Sequence, residues 1–142
     1  MEINKIYNEN NLDTMSRMED NFVDMIITSP PYNIGNSRAN TNNPDLNYDT
    51  YSDDLEIEDY FNLTKSWIDE CLRVSKYYVF WNIGEYAGCK GIAGYIMREY
   101  KDNLKDTFIW IKNNPNPTGR GVVCNGYEYI FCLVKDGADR RK

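Results

Sequence analysis

The strongest pattern in the chain is an apolar run at residues 22–27 that stops at a short segment with two prolines. The run reads Phe22-Val23-Asp24-Met25-Ile26-Ile27, and its length and large apolar residues predict a buried β-strand. The next segment, Thr28-Ser29-Pro30-Pro31-Tyr32-Asn33, ends the strand because proline has no N–H to donate to a sheet. Ligands of open α/β sheets bind at the carboxyl ends of strands, so this segment is a candidate site.

Periodic apolar positions predict the other elements of the fold. The apolar residues that follow Asp53-Asp54 recur at helical spacing as far as Leu72, which predicts an amphipathic helix. Further helices are predicted at residues 12–18 and 85–100, and further strands at 3–7, 77–83, 107–112 and 127–134. Strands separated by helices predict an α/β fold with a mostly parallel sheet and helices on both faces. The last two strands are close enough in sequence to form an antiparallel hairpin.

A long polar stretch interrupts this pattern at residues 34–50. Its Gly, Ser, Asn and Pro content predicts a flexible surface loop. Loops of this length are often lids or binding loops, and plain disorder is the alternative. The length of 142 residues otherwise predicts a single domain over residues 1–142, small for an enzyme.

The composition argues against several kinds of functional site. The sequence has no histidine and no Cys-x-x-Cys spacing, which argues against a zinc site and against Ser-His or Cys-His catalysis, so no metal is expected. No apolar run approaches the length of a membrane span, and no export signal opens the chain, so we expect a cytoplasmic protein without membrane contacts.

The charge is unevenly distributed along the chain. The net charge is −6, with 4 basic and 15 acidic side chains in residues 1–70 against 12 and 7 in residues 71–142. An acidic protein does not attract a phosphate backbone through its overall field. The basic second half is consistent with a side that faces nucleic acid or with a solvated tail, and we favour the tail.

The segment after the first strand suits the recognition of an amino group on an aromatic ring. The Ser29 oxygen and the Pro30 carbonyl are both placed to accept hydrogen bonds from one exocyclic amine, and Tyr32 is placed to stack on the ring. A base inside a duplex cannot be reached in this way, so the chemistry implies a flipped nucleotide. The alternative is an ordinary turn, since turn residues collect wherever strands end.

The same four residues, Ser29-Pro30-Pro31-Tyr32, resemble motif IV of the amino-group DNA methyltransferases, (Asp/Asn/Ser)-Pro-Pro-(Tyr/Phe). The resemblance is to the β-group of that family and extends over nearly all of the chain. The other matching segments, in order, are Ile6-Tyr7-Asn8, Val23-Asp24-Met25-Ile26-Ile27, Asp53-Asp54-Leu55, Trp110-Ile111-Lys112 and Tyr127-Glu128-Tyr129-Ile130. An ordered series of this kind is far more specific than any one motif.

The resemblance implies a function and a role for each residue of the segment. The family methylates cytosine N4 or adenine N6 of DNA from S-adenosylmethionine, so DNA is the implied partner and a restriction-modification or phage-type system the implied setting. Ser29, Pro30, Pro31 and Tyr32 are then the implied catalytic residues, and Asn33 is implied in substrate binding. The serine favours cytosine slightly. Asn10 is the second implied substrate residue, although the family usually has Asp at its position.

The cofactor site of the family has no counterpart in the sequence. Its Phe-x-Gly-x-Gly turn is absent, and Gly119-Arg120-Gly121 does not lie between a strand and a helix, so the cofactor-binding residues are unknown. The sequence therefore resembles the catalytic half alone, a partial Rossmann-like methyltransferase fold. We expect its open first strand to pair with another chain, as a homodimer or with a partner that supplies the cofactor half. The alternative function is an inactive fragment or subunit that binds nucleic acid or a partner without catalysis.

Overall fold

The described part of the chain forms one four-stranded sheet with helices against it. The computed structural model describes residues 2–35, 53–113 and 126–135. The elements are α1 (Asn11–Ser16), β1 (Val23–Thr28), α2 (Ile57–Val74), β2 (Ser75–Ile83), a 3-10 turn (Ala87–Cys89), α3 (Ile92–Glu99), β3 (Leu104–Ile111) and β4 (Tyr127–Leu133). The predicted loop at 34–50 lies outside the described residues except for Ile34 and Gly35.

The order of the strands in the sheet is β1-β2-β4-β3. β1 pairs with β2 in parallel, whereas β4 is antiparallel to both β2 and β3. β1, β2 and β3 therefore run in the same direction. β4 runs in the opposite direction and lies between β2 and β3. The carboxyl ends of β1, β2 and β3 and the amino end of β4 consequently meet at one edge. The predicted hairpin of the last two strands is confirmed.

One face of the sheet carries the core. Alternate residues of β2, namely Val79, Trp81 and Ile83, are buried in one cluster with Ile68 of α2 and Ile92 of α3. The apolar stripe of α2 thus packs on the sheet as predicted. Helices were predicted on both faces of the sheet. In the described part of the chain, α2 and α3 both contribute to this cluster and therefore cover the same face.

The opposite face of the sheet is apolar and largely uncovered by the described residues. Its residues follow from the register, in which Met25 pairs with Tyr78, Ile27 with Phe80 and Phe108 with Ile130. Ile27 is 76% exposed there. We call this surface the open face; its large apolar residues are Met25, Ile27, Tyr78, Phe80, Phe108, Trp110 and Ile130.

Three predicted elements differ in the structure. No strand forms at residues 3–7, where Ile3 and Ile6 are 77% and 94% exposed and therefore have no apolar surface to join. The predicted helix at 85–100 begins only at Ile92, after Gly91 adopts a left-handed φ of 89° that a helix cannot include. Asp53 does not start α2 either, since the helix begins at Ile57.

Arg73, in the last turn of α2, holds the segment that leads into β1. Its guanidinium donates to the backbone carbonyls of Met15 and Met18 and to the carboxylates of Asp20 and Glu70, at 2.7–2.9 Å. The hydrogen bond from Arg73 lowers the pKa of Glu70. Arg73 therefore ties α1 and the start of β1 to α2, which fixes where β1 enters the sheet.

Candidate functional site

The segment Ser29–Tyr32, here called the tip, lies at the edge where the ends of all four strands meet. Ser29 is exposed, Pro30 is buried, and Pro31 and Tyr32 are half-buried. The Tyr60 hydroxyl donates to the Pro31 carbonyl at 2.8 Å. No described residue donates to the Pro30 carbonyl. The tip therefore has one backbone acceptor that no described residue occupies, beside the exposed serine.

The Tyr32 hydroxyl joins the tip to the ends of β2 and β4. It lies 2.8 Å from Ser29 Oγ and 3.1 Å from both Asn82 Oδ1 and Glu128 Oε2. The Tyr32 ring stacks on the ring of Tyr86, with centroids 5.2 Å apart and planes inclined by 19°. Burial raises the pKa of Tyr32; the Ser29 hydrogen bond opposes this, and the charge of Glu128 adds to it. Tyr32 is therefore a neutral phenol at neutral pH.

Glu128 is a buried carboxylate, only 3% exposed, at the start of β4. Its Oε1 accepts from the Tyr86 hydroxyl at 2.8 Å and forms an ion pair with Lys112. Burial alone would raise the pKa of Glu128, but hydrogen bonds from Lys112 and Tyr86 and the charge of Lys112 leave the pKa below its ordinary value. Glu128 is therefore ionised, with Oε2 directed to Tyr32.

Asn33 anchors the loop that follows the tip. It is 4% exposed and has a left-handed φ of 55°. Its Nδ2 donates to the carbonyls of Leu55 and Gly88 at 2.8 Å, its Oδ1 accepts from the Leu55 N–H, and its own N–H donates to Asp53. The side chain is thus occupied by the protein, which gives Asn33 a positioning role; substrate contact by Asn33 stays a prediction without geometric support.

Asn10 lies outside this network. Its exposed side chain caps α1 by accepting from the Leu12 N–H at 2.9 Å. The neighbouring Asn11 lines a cavity of about 310 Å³ with Ser29, Pro30 and Pro31. The structure therefore brings the helix that Asn10 caps to the tip, while the substrate role of Asn10 itself stays a prediction.

The start of α3 does not fit a site for S-adenosylmethionine. The backbone N–H groups at the start of α3, from Gly91 and Ala93, are taken by the Glu85 carboxylate at 2.7 and 2.9 Å. Gly119-Arg120-Gly121 lies outside the described residues. The described ranges also contain no cluster of acidic, Cys or His side chains that could hold a metal.

The described cysteines are buried and free, and burial raises the pKa of Cys71 to about 12 and that of Cys89 to about 11. They are packing residues rather than nucleophiles. No helix in the described part of the chain is both long and apolar enough to cross a membrane.

Sequence reasoning missed four residues of the site: Asn82, Tyr86, Lys112 and Glu128. Two of them had a signal in the pattern, because Asn82 interrupts the apolar and aromatic stretch 77–83 and Glu128 is the one charged residue of β4. A buried polar residue at a strand end needs a partner, so each could have been assigned to the tip. Tyr86 and Lys112 carried no such signal.

Sequence comparison assigns the family. Residues 23–141 match the N6_N4_Mtase family, described as DNA methylase. Type II methyltransferase M.BglII of Bacillus subtilis is 34% identical over 91 residues, which is 63% of this chain and 22% of the relative. Type II methyltransferase M.HpaI of Haemophilus parainfluenzae is 34% identical over 67 residues, or 47% of this chain and 18% of the relative.

Solved structures share the fold. PvuII DNA methyltransferase (cytosine-N4-specific) matches with a TM-score of 0.64 and 12% identity, over 90% of this chain and 48% of its own. A Thermus thermophilus protein assigned as a DNA modification methylase, complexed with S-adenosyl-L-methionine, matches with a TM-score of 0.58 and 18% identity, over 92% and 53%. The chain spans about a fifth of the curated relatives and about half of the solved structures, so the predicted partial methyltransferase fold is confirmed. The chain belongs to the family of DNA methyltransferases that modify amino groups.

Proposed function

We infer that this chain holds the target base of a DNA methyltransferase that acts on an exocyclic amino group, cytosine N4 or adenine N6. S-adenosylmethionine is the proposed source of the methyl group, and DNA is the proposed substrate. A restriction-modification or phage-type system is the proposed setting. Ser29, Pro30, Pro31 and Tyr32 are the proposed catalytic residues.

The observation that carries this proposal is the pair of acceptors at the tip. Ser29 Oγ is exposed, and the neighbouring Pro30 carbonyl receives no hydrogen bond from a described residue. An amino group has two N–H donors, so it satisfies both acceptors at once. This arrangement draws the amine nitrogen out of conjugation with its ring, which makes its lone pair available for methylation. Pro31, whose carbonyl is held by Tyr60, stiffens the turn that presents both acceptors.

The aromatic side chains at the tip support a flat ligand. Tyr86 covers one face of the Tyr32 ring, and Tyr32 is half-buried. A flipped base would stack on the remaining exposed part of Tyr32, in the way that base-modifying enzymes hold their targets. Asn33 would then act by fixing the loop beside Tyr32, and Asn10 by fixing α1 beside the cavity.

The cofactor would be held by residues other than those described. The start of α3 does not fit it, so we propose that β1, at the edge of the described sheet, pairs with a chain segment that carries the cofactor site. A second copy of this chain or a separate partner chain would fill this role. Light scattering tests both alternatives, because a stable monomer that remains active in micromolar solution excludes both.

The experiment is complementation in cells of the source organism that lack the gene. Genomic DNA is digested to nucleosides, and N4-methylcytosine and N6-methyladenine are measured by mass spectrometry. The wild-type gene should restore one of the two bases. Ser29→Ala should restore roughly 100-fold less, the scale of losing one direct transition-state contact. Ser66→Ala, at an exposed serine on α2, is the matched control and should behave as wild type. Absence of both bases with the wild-type gene would favour the inactive subunit.

A further inference from the structure

We propose that Glu128 is a positioning residue that sets the direction of the hydrogen bonds at the tip. It makes Ser29 an acceptor toward the substrate, which selects bases with an amino group over bases with a keto oxygen at that position. This inference rests on the function proposed above, since it concerns how the same tip chooses its base. Nothing in the family assignment supplies this role for Glu128.

The direction follows from counting protons around the Tyr32 hydroxyl. A phenol has one proton to donate, and its oxygen also accepts. Glu128 is ionised and can only accept. Asn82 also turns an acceptor to Tyr32, because Asn82 Nδ2 donates to the Tyr129 carbonyl at 3.1 Å and leaves Oδ1 facing the hydroxyl. Both neighbours on this side therefore need the single proton of Tyr32.

Ser29 must then be the donor in its contact with Tyr32. The proton of Tyr32 points to Glu128 and Asn82, so only a lone pair faces Ser29 across the 2.8 Å contact. Ser29 donates its own proton to that lone pair. The remaining lone pairs of Ser29 Oγ face solvent, where a substrate would bind. An N–H of an amine is attracted to them, whereas a keto oxygen is repelled.

Lys112 and Tyr86 keep this chain of hydrogen bonds in one direction. Both donate to Glu128 Oε1, which leaves Oε2 for Tyr32. They also hold the negative charge of Glu128 in a site where it is only 3% exposed. If Glu128 carried a proton, it could donate to Tyr32 and reverse the chain, so that Ser29 would offer a proton outward. Lys112 therefore keeps Glu128 ionised, so that Ser29 remains a hydrogen-bond acceptor toward the substrate.

The first test measures the direction of the Ser29–Tyr32 hydrogen bond in the full 142-residue chain. Tyr32 is replaced by 3-fluorotyrosine, whose phenol is more acidic than that of tyrosine, and its pKa is followed by fluorine NMR. Ser29→Ala should raise this pKa, because the phenolate loses a donor. Glu128→Gln should lower it, because a nearby negative charge is removed while Lys112 and Tyr86 remain. Glu70→Gln, which disturbs only the Arg73 network, is the control and should leave the pKa unchanged. A lower pKa in Ser29→Ala would mean that Tyr32 donates to Ser29, and the proposal would be wrong.

The second test measures methylation by the enzyme purified in the form that modifies DNA in its own cells. Glu128→Gln should reduce kcat roughly 10- to 100-fold, the usual effect of removing a supporting partner, with little change in KM for DNA. Tyr32→Phe, which keeps the ring, breaks the same chain, so the double variant should lose no more than the worse single variant. Additive losses, or a wild-type kcat in Glu128→Gln, would overturn the proposal. An inactive wild-type enzyme would instead defeat the function proposed above, and the fluorine titration would still decide the direction of the hydrogen bond.

Discussion

Asn33 shows at the scale of single residues what a motif does and does not reveal. The sequence places it next to Tyr32, which made it a candidate for substrate contact. The structure uses its backbone N–H and both polar atoms of its side chain to join segments that are distant in sequence. This role depends on Asp53, Leu55 and Gly88, and no local sequence pattern around Asn33 predicts that they are its partners. The tip could thus be predicted from four residues, but the contacts by which Asn33 fixes the following loop could not.

Gly88 is required where the chain approaches Asn33 most closely. A Cβ at Gly88 would lie 1.5 Å from the Asn33 carbonyl oxygen, so Gly88→Ala must displace backbone and should destabilise the protein by roughly 3 kcal/mol or more. The matched control is Gly94→Ala in α3, where nothing lies within 4 Å and alanine should stabilise the helix by about 0.5–1 kcal/mol. Urea unfolding measures both. A Gly88→Ala protein as stable as wild type would contradict the packing of this loop.

The helices and strands with the longest apolar patterns were predicted most accurately. α2 and the pair β3–β4 lie close to their predicted positions because burial requires their periodicity. The failures are at residues 3–7 and 85–91, where short apolar or mixed stretches have no partner or meet a glycine. Local helix and strand propensities do not determine the structure of these stretches. Tertiary contacts determine it, and the sequence does not show which contacts form.

Arg73 offers a test of how the elements are joined. Arg73→Met keeps much of the apolar stem but removes the hydrogen bonds to the carbonyls of Met15 and Met18 and the ion pairs with Asp20 and Glu70. The free energy of unfolding should fall by about 1.5–3 kcal/mol or more, because a single hydrogen bond to a charged group already contributes that range. Arg98→Met, at an exposed position in α3, should change it by less than about 0.5 kcal/mol. Equal stability of the two variants would show that Arg73 does not hold α1.

The described part of the molecule is asymmetric, with a core on one face of the sheet and exposed apolar residues on the open face. The alternation of strands and helices predicted an α/β fold covered on both faces, but this alternation does not tell on which face each helix packs. The described helices cover one side only, and β1 lies at the edge of the described sheet. The prediction that another chain pairs here therefore remains a proposal, with exposed apolar surface as its support.

Self-association should depend on the open face. Ile27 is 76% exposed on β1, so Ile27→Lys should shift the chain toward monomer by placing a charge on that surface. Met97→Lys, at a 38% exposed residue of α3, adds the same charge away from the sheet and should leave association unchanged. Light scattering over a concentration series measures both. Equal association of both variants with wild type would remove the open face from the interface.

The antiparallel course of β4 has a consequence for how the protein is made. β3 pairs only with β4 among the described strands, and β4 lies between β2 and β3. Glu128 therefore reaches Tyr32, 96 residues earlier in the chain, only when the last described strand inserts between two others. Contacts of this sequence separation form slowly, after local structure. A nascent chain emerging from the ribosome would thus fold α2 first and complete the hydrogen bonds of the tip last, when β4 has been synthesised.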